Sequence, residues 1–346
     1  MKSSTVPGDV QSSSAWLLRL WAVVAAFAAV TVVRSFQVDI AFRDPHGAIL
    51  LTRVALSAGI FAVLVVIDGA RRTTGRWTLR GVSRGVRERW TRRRLAEAAS
   101  VLLAYHVVYF CYHNLKSWDV FNRPRDQLLL SWDRWLFLGH SPAALLHQIL
   151  GEHVAAYVLL VVYESFSTIV SVSVVAAVVF SDHLRDGAVF IASMVWVWVL
   201  GVACYYAIPS IGPFWSAPHT FSGLPHTMVQ DTQARYLAQR ADLLAHPHAA
   251  DAFAQVSAFA SLHVAVTCVI LLTASYYGLR RTTYVLFVFL CGTILATIYL
   301  GWHFALDDVA GLAIAWVSMQ LGRYTVRPTV KDGEPALSAI TPHHLE

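Results

Sequence analysis

Eight long apolar stretches constrain the fold of this 346-residue chain more than any other feature of its sequence. A helix needs about 20 mostly apolar residues to cross a bilayer. Charged residues make up only 14% of the chain, against about 25% in a typical soluble domain. The sequence therefore predicts an all-α fold, a polytopic transmembrane helical bundle with about eight transmembrane helices. The stretches lie near residues 15–35, 49–68, 95–115, 154–180, 187–207, 258–278, 283–301 and 303–322.

The arginines are distributed unevenly, and their positions predict the orientation of the bundle. Residues 71–94 hold ten arginines and one glutamate, which is typical of a cytoplasmic loop. The basic connection at 279–282 and the C-terminal tail then fall on the same side. Topology thus explains the net charge of +6 without a nucleic-acid partner. The excess of arginine over lysine, 24 to 3, suggests a GC-rich bacterial genome and hence a bacterial plasma membrane.

The spacing of the apolar stretches also predicts how the chain is divided. The stretch 116–153 has a mixed pattern, which indicates a helix in the membrane interface or a re-entrant segment. The loop 208–257 is too long for a simple connector, and its histidines and aromatic residues suggest a lid. The expected parts are two N-terminal transmembrane helices (1–70), an arginine-rich cytoplasmic linker (71–94), a catalytic core (95–325) and a cytoplasmic tail (326–346).

Polar residues from three distant segments are predicted to meet at the extracytoplasmic ends of their helices. Ionisable groups at membrane depth are costly and usually functional. Each segment contributes a pair, and the pairs are Lys116 with Arg123, Ser261 with His263, and His303 with Asp307. This convergence was not imposed by the arginine count, so it indicates a site.

The residue types of these pairs favour phosphoryl transfer. A helix would place His303 and Asp307 on one face, where the carboxylate can hold one ring nitrogen as N–H and leave the other free to attack. Ser261 stands at the N-cap position of a helix whose first turn can bind an anion. His263 can protonate a leaving oxygen.

Less specific interpretations remain open for each residue. His303 with Asp307 could be a structural pair or the proton relay of a non-enzymatic membrane carrier. Lys116 and Arg123 could be snorkelling anchors. Single histidines in apolar helices, such as His106 and His147, are more often structural. The combination of all three pairs on one side favours a catalytic site.

Three motifs in this order resemble those of the type 2 phosphatidic acid phosphatase (PAP2) superfamily. KSWDVFNRP resembles its first motif, ASLH its second and ATIYLGWHFALD its third. The segments YYAIPSIGPFW, FASLHVA and WHFALDDVAGL are similar to the Aur1-type branch, named for inositol phosphorylceramide synthase. The resemblance covers roughly residues 100–325 and implies a six-helix PAP2-like core. The first two helices lie outside it.

The resemblance implies a role for each motif residue and no metal or cofactor. His303 would attack phosphorus and form a phosphohistidine, Asp307 would orient it, and His263 would act as acid and then as base. The phosphate would be held by Lys116, Arg123, Ser261 and the backbone N–H of Leu262.

The third motif departs from the family pattern in one position that matters for binding. Thr297 stands where an arginine is usual, Ala296 replaces a serine, and Ala260 replaces a proline of the second motif. Either another cation binds the phosphate, with Arg125 and Arg235 as candidates, or the site is tuned differently.

The resemblance implies an enzyme that acts on lipid phosphate esters, with membrane lipids as its surroundings. The expected reaction is transfer of a phosphoryl or phospho-headgroup from a lipid-linked donor to an alcohol. The alternative is a lipid phosphate or polyprenyl (di)phosphate phosphatase, which uses water as the acceptor. Water exclusion by the loop 208–257 would favour transfer.

Overall fold

The computed structural model describes residues 12–73 and 78–328, and throughout these ranges the regular structure is helical, without strands. The all-α prediction is therefore confirmed. Most of the predicted tail, and residues 74–77 of the predicted linker, lie outside the described residues. The helices are α1 (Ser12–Val38), α2 (Leu51–Arg72), α3 (Leu79–Arg89), α4 (Arg92–Trp118), α5 (Asp126–Leu136), α6 (Pro142–Leu150), α7 (Val154–Phe180), α8 (Leu184–Ala207), α9 (Pro213–Ser216), α10 (Met228–Ala245), α11 (Leu262–Tyr276), α12 (Arg280–Tyr299) and α13 (Ala305–Val326).

All eight predicted membrane segments are helical, but fewer than eight are long and apolar enough to cross a membrane. Within the described part of the chain, six helices meet both conditions: α1, α2, α4, α7, α8 and α12. Helix α11 has only 15 residues, because Ser261 caps it later than the apolar pattern suggested. Helix α13 has 22 residues but carries Asp307, Asp308 and Arg323. These two polar-ended helices pack against α8 and against each other and carry site residues.

Helix α8 forms the centre of the bundle and packs against α4, α11 and α13. Its most apolar window is 72% buried, far more than that of any other candidate span. Other helices therefore cover α8 on most of its surface. The residues that carry the site therefore project from helices that share one central support.

The two N-terminal helices pack onto this bundle. Helix α1 lies against α4 and α13, where Arg19 Nε donates to the carbonyl oxygen of Thr325 at 2.7 Å. Trp21 Nε1 donates to Ser100 Oγ at 2.9 Å. Helix α2 packs against α3 and α7.

The described part of the arginine-rich segment 71–94 is mostly helical. Thr78 caps α3 and Thr91 caps α4 through their hydroxyl groups. Arg89 Nε lies 2.7 Å from Asp68 Oδ2 of α2. Arg94 Nη2 donates to the carbonyl oxygen of Ser181 at 2.6 Å. These arginines therefore connect α2, α3, α4 and the end of α7 at one end of the bundle. This role is separate from any effect of their charge on the topology.

Helix α5 has its acidic side inside and its aromatic side outside. Asp126, Leu129 and Asp133 are buried, whereas Trp132 and Trp135 are exposed, Trp135 by 82%. Exposed tryptophans are typical of the membrane–water interface. This arrangement agrees with the prediction of an interfacial helix in 116–153.

The long loop 208–257 is ordered and covers the end of α12. Thr227 and Gln230 form a capping box at the start of α10. Gln233 Nε2 donates to the carbonyl oxygen of Leu300 at 2.9 Å. The loop is thus attached to the turn that precedes α13.

Candidate active site

Three chain segments converge at one end of the bundle, here termed the site end. They are the C-terminal end of α4, the N-terminal end of α11, and the turn between α12 and α13 with the first turn of α13. The backbone N–H of Ser261 donates to the carbonyl oxygen of Asp307 at 3.0 Å. At Gly311 a Cβ atom would lie 2.5 Å from the carbonyl oxygen of Ser261. Only glycine permits this close approach of α13 to the start of α11.

His303 and Asp307 form the predicted pair, but His303 lies in the turn before α13 and not on the helix. Its Nδ1 lies 3.3 Å from Asp307 Oδ2, and the same oxygen accepts a hydrogen bond from the backbone N–H of Phe304 at 3.0 Å. The Asp307 side chain is fully buried. The pair forms because the carboxylate turns back over the helix N-terminus. Since Nδ1 faces Asp307, Nε2 is the nitrogen left for attack.

The surroundings of His303 favour the neutral imidazole. Burial lowers the pKa of His303 well below its usual value, and the neighbouring His263 and Lys116 act in the same direction. The nearby carbonyl oxygen of Ala258 acts on this pKa in the opposite direction. That carbonyl is held in place because the N–H of Ala258 donates to the carbonyl oxygen of Ser210 at 2.9 Å. A neutral imidazole retains the lone pair that a nucleophile needs.

Ser261 caps α11 as its sequence position predicted. Its Oγ accepts from the backbone N–H of Val264 at 3.4 Å, and its side chain also bonds with Asp308. Leu262, the first residue of the helix, is buried. The start of α11 therefore points into the same buried region as His303, where a helix N-terminus favours an anion.

His263 lies beside His303, with their ring centroids 5.7 Å apart. The ring of Tyr163 stacks on His263 at 4.6 Å, and Phe166 packs against it at 4.4 Å. Two aromatic side chains of α7 therefore fix the orientation of this imidazole.

The two residues of the first motif have different surroundings. Lys116 is half-buried, its Nζ lies 5.7 Å from the centroid of the Tyr205 ring, and its charge acts on both His263 and His303. Arg123 is exposed and lines a separate cavity of about 520 Å³. Over residues 12–73 and 78–328, no hydrogen bond or ion pair joins Arg123 to the histidines. The structure brings Lys116, Ser261, His263, His303 and Asp307 together and leaves Arg123 apart.

Thr297, in place of the expected arginine, belongs to a buried polar pair. Its Oγ1 donates to Asp308 Oδ2 at 3.0 Å. Both side chains are buried. Asp308 was not predicted from the sequence, because it directly follows Asp307 and its spacing to the other site residues matches no pattern of its own.

Arg134, an exposed arginine of α5, is a further cation near the candidate site that the sequence did not predict. It lines a small cavity of about 20 Å³ together with His303 and Phe304. The two expected substitutes lie elsewhere, since Arg125 borders the larger cavity and Arg235 is exposed over the ring of Tyr236. The pattern of the segment WDRW predicts only an interfacial helix. Nothing in the sequence therefore relates Arg134 to His303.

Asp133 was also missed, and it fixes the beginning of α13. Its two carboxylate oxygens accept from the backbone N–H groups of Ala305 and Leu306 at 2.9 and 3.1 Å. Burial raises the pKa of Asp133, and the two hydrogen bonds oppose that effect. The carboxylate occupies the anion site at the N-terminus of the helix that carries Asp307.

Four other histidines have local partners. His106 Nε2 lies 2.9 Å from Ser57 Oγ, and His147 Nε2 lies 2.9 Å from the carbonyl oxygen of Tyr299. In the loop, His226 and His246 lie near Asp231 and Asp242. The described residues contain no cluster of three or more metal-ligating side chains.

Comparison with known proteins identifies the family. A model of the PAP2 superfamily matches residues 127–321, more than half of the chain. The match includes Ser261, His263, His303 and Asp307 but begins after Lys116 and Arg123. No curated protein and no solved structure matches the chain. With its histidine pair at the shared end of a helical membrane bundle, the chain belongs to the PAP2 superfamily.

Proposed function

We propose that this protein transfers a phosphoryl or phospho-headgroup from a lipid-linked donor to an alcohol, through a phosphohistidine on His303. Members of the superfamily are generally phosphatases or phosphotransferases that act on lipid phosphates. The observation that carries the proposal is the buried His303–Asp307 pair, with the His263 ring 5.7 Å from that of His303.

In the first step, His303 Nε2 attacks the phosphorus atom. A P–N bond forms and the bond from phosphorus to the donor oxygen breaks. His263, which the bound phosphate anion keeps protonated against the effects of burial and Lys116, gives its proton to that oxygen. Asp307 keeps the Nδ1 proton of His303 in place and stabilises the positive ring.

In the second step, the acceptor oxygen attacks the phosphohistidine. Neutral His263 now takes the proton of the attacking hydroxyl group, the new P–O bond forms, and the P–N bond breaks. His303 returns to its neutral state and His263 to its protonated state, so the cycle is closed.

Cationic and backbone groups around His303 can hold the phosphate oxygens. We assign this role to Lys116, Ser261 and the N–H of Leu262, all at the site end. Arg134, which shares the small cavity with His303, is the proposed substitute for the arginine that Thr297 replaces. A guanidinium is suited to bidentate phosphate contacts.

Transfer to an alcohol requires that water be excluded from the phosphohistidine. The ring of Tyr236 in α10 packs at 5.8 Å from that of Trp302, beside His303. Together with the bond from Gln233 to Leu300, this contact makes α10 a cover over the site. These contacts favour transfer over hydrolysis.

One observation favours hydrolysis as the second candidate. The cavity of about 20 Å³ beside His303 has room for about one water molecule. A single water molecule held there could serve as the acceptor, which would make the protein a lipid phosphate phosphatase.

The site is proposed to face the extracytoplasmic side. Arg92 and Arg93 begin α4, and Lys116 lies near its other end. A helix of this length places its two ends about 40 Å apart. The arginine-rich α3 therefore lies opposite the site, as the positive-inside rule requires for an extracytoplasmic site.

The test uses purified protein with a radiolabelled lipid phosphate, with and without added alcohol. Wild-type protein should form an acid-labile phosphoenzyme and an alcohol-dependent product. His303→Ala should abolish both. His183→Ala, at an exposed position at the opposite end, is the matched control and should behave as wild type. Turnover in His303→Ala would rule out the proposed nucleophile.

A further inference from the structure

The arginine-rich end of the bundle contains two sets of arginines, and only one set has anionic partners in the protein. In the inner set, Arg72 and Arg89 both pair with Asp68 and with Asp182. The outer set consists of three exposed residues of α3, namely Arg80, Arg84 and Arg87. Over residues 12–73 and 78–328, no ion pair joins a carboxylate to this outer set. Packing of the protein therefore uses the inner arginines and leaves the outer ones free.

The three outer arginines lie on one face of α3. Positions 80, 84 and 87 are four and three residues apart, so their side chains lie within about 60° of one another around the helix. Like charges at this spacing repel each other. Glu88 is the only acidic residue of α3, and it is exposed and forms no ion pair with them. An anion outside the protein would therefore stabilise this face.

The opposite face of α3 is fixed against α2. At Gly69 a Cβ atom would lie 2.6 Å from Cγ2 of Val86, and Val82 lies over the same glycine. The ring centroids of Phe61 and Trp90 are 4.8 Å apart. Because the inner face is closely packed, α3 cannot turn its outer arginines toward the carboxylates of the inner set.

Helix α3 folds back along the last turns of α2. Gly81 lies beside Thr73, Val86 lies beside Gly69, and Trp90 lies beside Phe61, so the contacts move down α2 as α3 proceeds. Helix α2 is long and apolar enough to cross a membrane, and it ends in two arginines. Basic residues at the end of a span lie at the level of the lipid headgroups. The outer arginines of α3 lie at that level too.

Apolar side chains lie next to these arginines. Val63, Val66 and Ile67, on the turns of α2 beside α3, are exposed. Leu79, the first residue of α3, is 91% exposed. Exposed apolar side chains of a spanning helix contact acyl chains. The surface therefore presents arginines to a headgroup and apolar side chains to the chains of the same lipid.

We propose that the outer face of α3 binds anionic phospholipids of the adjacent leaflet through Arg80, Arg84 and Arg87. The negative surface of such a leaflet is complementary to the charge of this face, and guanidinium groups bind phosphate oxygens through paired hydrogen bonds. Helix α4, with 27 residues, places this face about 40 Å from the end that carries His303. The lipid surface is thus separate from the proposed catalytic site and does not depend on the proposed reaction.

The test measures lipid enrichment beside α3 itself. In a background without the four native cysteines, Ser83→Cys, at an exposed position of α3, carries a donor fluorophore. The protein is placed in phosphatidylcholine nanodiscs with a trace of phosphatidylglycerol or phosphatidylcholine that carries an acceptor on its acyl chain. Energy transfer to phosphatidylglycerol should exceed transfer to phosphatidylcholine.

Two matched double variants then assign the enrichment to residues. Arg80→Gln with Arg84→Gln should lower it by about 25-fold, since each arginine at a membrane surface contributes about fivefold. The control is Arg280→Gln with Arg281→Gln, two exposed arginines at the connection of α11 and α12 at the same end. It should keep the wild-type enrichment. An unchanged melting temperature in detergent shows that each variant is folded.

Three results would overturn the proposal. The first is equal transfer to the two lipids in the protein with all its arginines. The second is an equal loss in the two double variants, which would assign the effect to the total charge at this end. The third is displacement of the labelled lipid by a short RNA, which would mean that this face binds polyanions from solution.

Discussion

Asp307 uses a single oxygen, Oδ2, for both His303 and the backbone N–H of Phe304. Among the described residues its other oxygen has no partner. A buried carboxylate in this arrangement sets which ring nitrogen of His303 carries the proton. The proposed nucleophile, His303, therefore depends on the negative charge of Asp307 as well as on the position of its Oδ2 atom.

Asp307→Asn should reduce phosphoenzyme formation, because the amide has no negative charge with which to stabilise the positive ring; in a Ser-His-Asp triad the corresponding change costs about 10⁴-fold. The amide oxygen can keep the Oδ2 position and accept from both Phe304 and Nδ1, so the geometry is expected to be retained. The rate of labelling by a radioactive lipid phosphate measures the effect. Asp242→Asn alters an exposed aspartate–histidine pair of the same spacing and should leave the rate unchanged. Equal rates in both variants would remove Asp307 from the mechanism.

His263→Ala should trap the phosphoenzyme when the donor is an aryl phosphate. A weakly basic leaving group needs no acid, so the first step proceeds, whereas the second step loses its base. We expect the second step to slow by about 10²–10⁴-fold. Quenched-flow measurement of the labelled protein would show accumulation. Turnover at the wild-type rate would mean that another group moves the proton.

At the scale of elements, α5 connects the membrane interface with the catalytic helix. Its two buried carboxylates accept hydrogen bonds from backbone N–H groups of two other segments. Asp126 accepts from Ile211 and Gly212, and Asp133 accepts from the start of α13. Its aromatic side remains exposed. The helix is thus a surface element that determines where Asp307 lies.

Asp133→Ala should lower both stability and turnover. Two N–H groups at the start of α13 would lose their acceptors, at a cost of about 1–3 kcal/mol each if they stay buried and unpaired. We expect a lower melting temperature in detergent and a smaller kcat, because Asp307 shifts. Asp133→Asn keeps one acceptor oxygen, so its melting temperature and kcat should lie between those of the wild type and those of Asp133→Ala. Gln127→Ala, exposed on the same helix, is the control. A kcat unaffected by Asp133→Ala would contradict the link between α5 and the site.

Gln233→Leu should increase hydrolysis relative to transfer. The variant removes the hydrogen bond that holds α10 to Leu300, worth about 1 kcal/mol, or about a fivefold change in the open population. More water would then reach the phosphohistidine. The ratio of inorganic phosphate to alcohol product measures this change. Ala238→Leu, which introduces the same side chain at an exposed position of α10, should leave the ratio unaltered. No increase with Gln233→Leu would argue against a lid.

At the scale of the whole molecule, the site end and the arginine-rich end define the predicted orientation. Cysteines introduced at His140 and Arg84, both exposed, mark the two ends in a background without the four native cysteines. In intact cells, a membrane-impermeant maleimide should label the variant at 140 and not the variant at 84. Labelling of the second alone would reverse the orientation and exclude an extracytoplasmic site.

The sequence by itself determined the helical membrane fold, the order of the segments and most residues of the site. Apolar length dictates helices in a bilayer, and the 303/307 spacing and the Ser261 cap act within a single turn. Only the tertiary structure decided that Arg134 and His303 line one small cavity, that Asp133 holds α13, and that Arg123 lines a different cavity. Those contacts depend on how α5 and the α4–α5 connection lie across the ends of distant helices. Local periodicity does not encode that placement, because it results from packing between segments far apart in the chain.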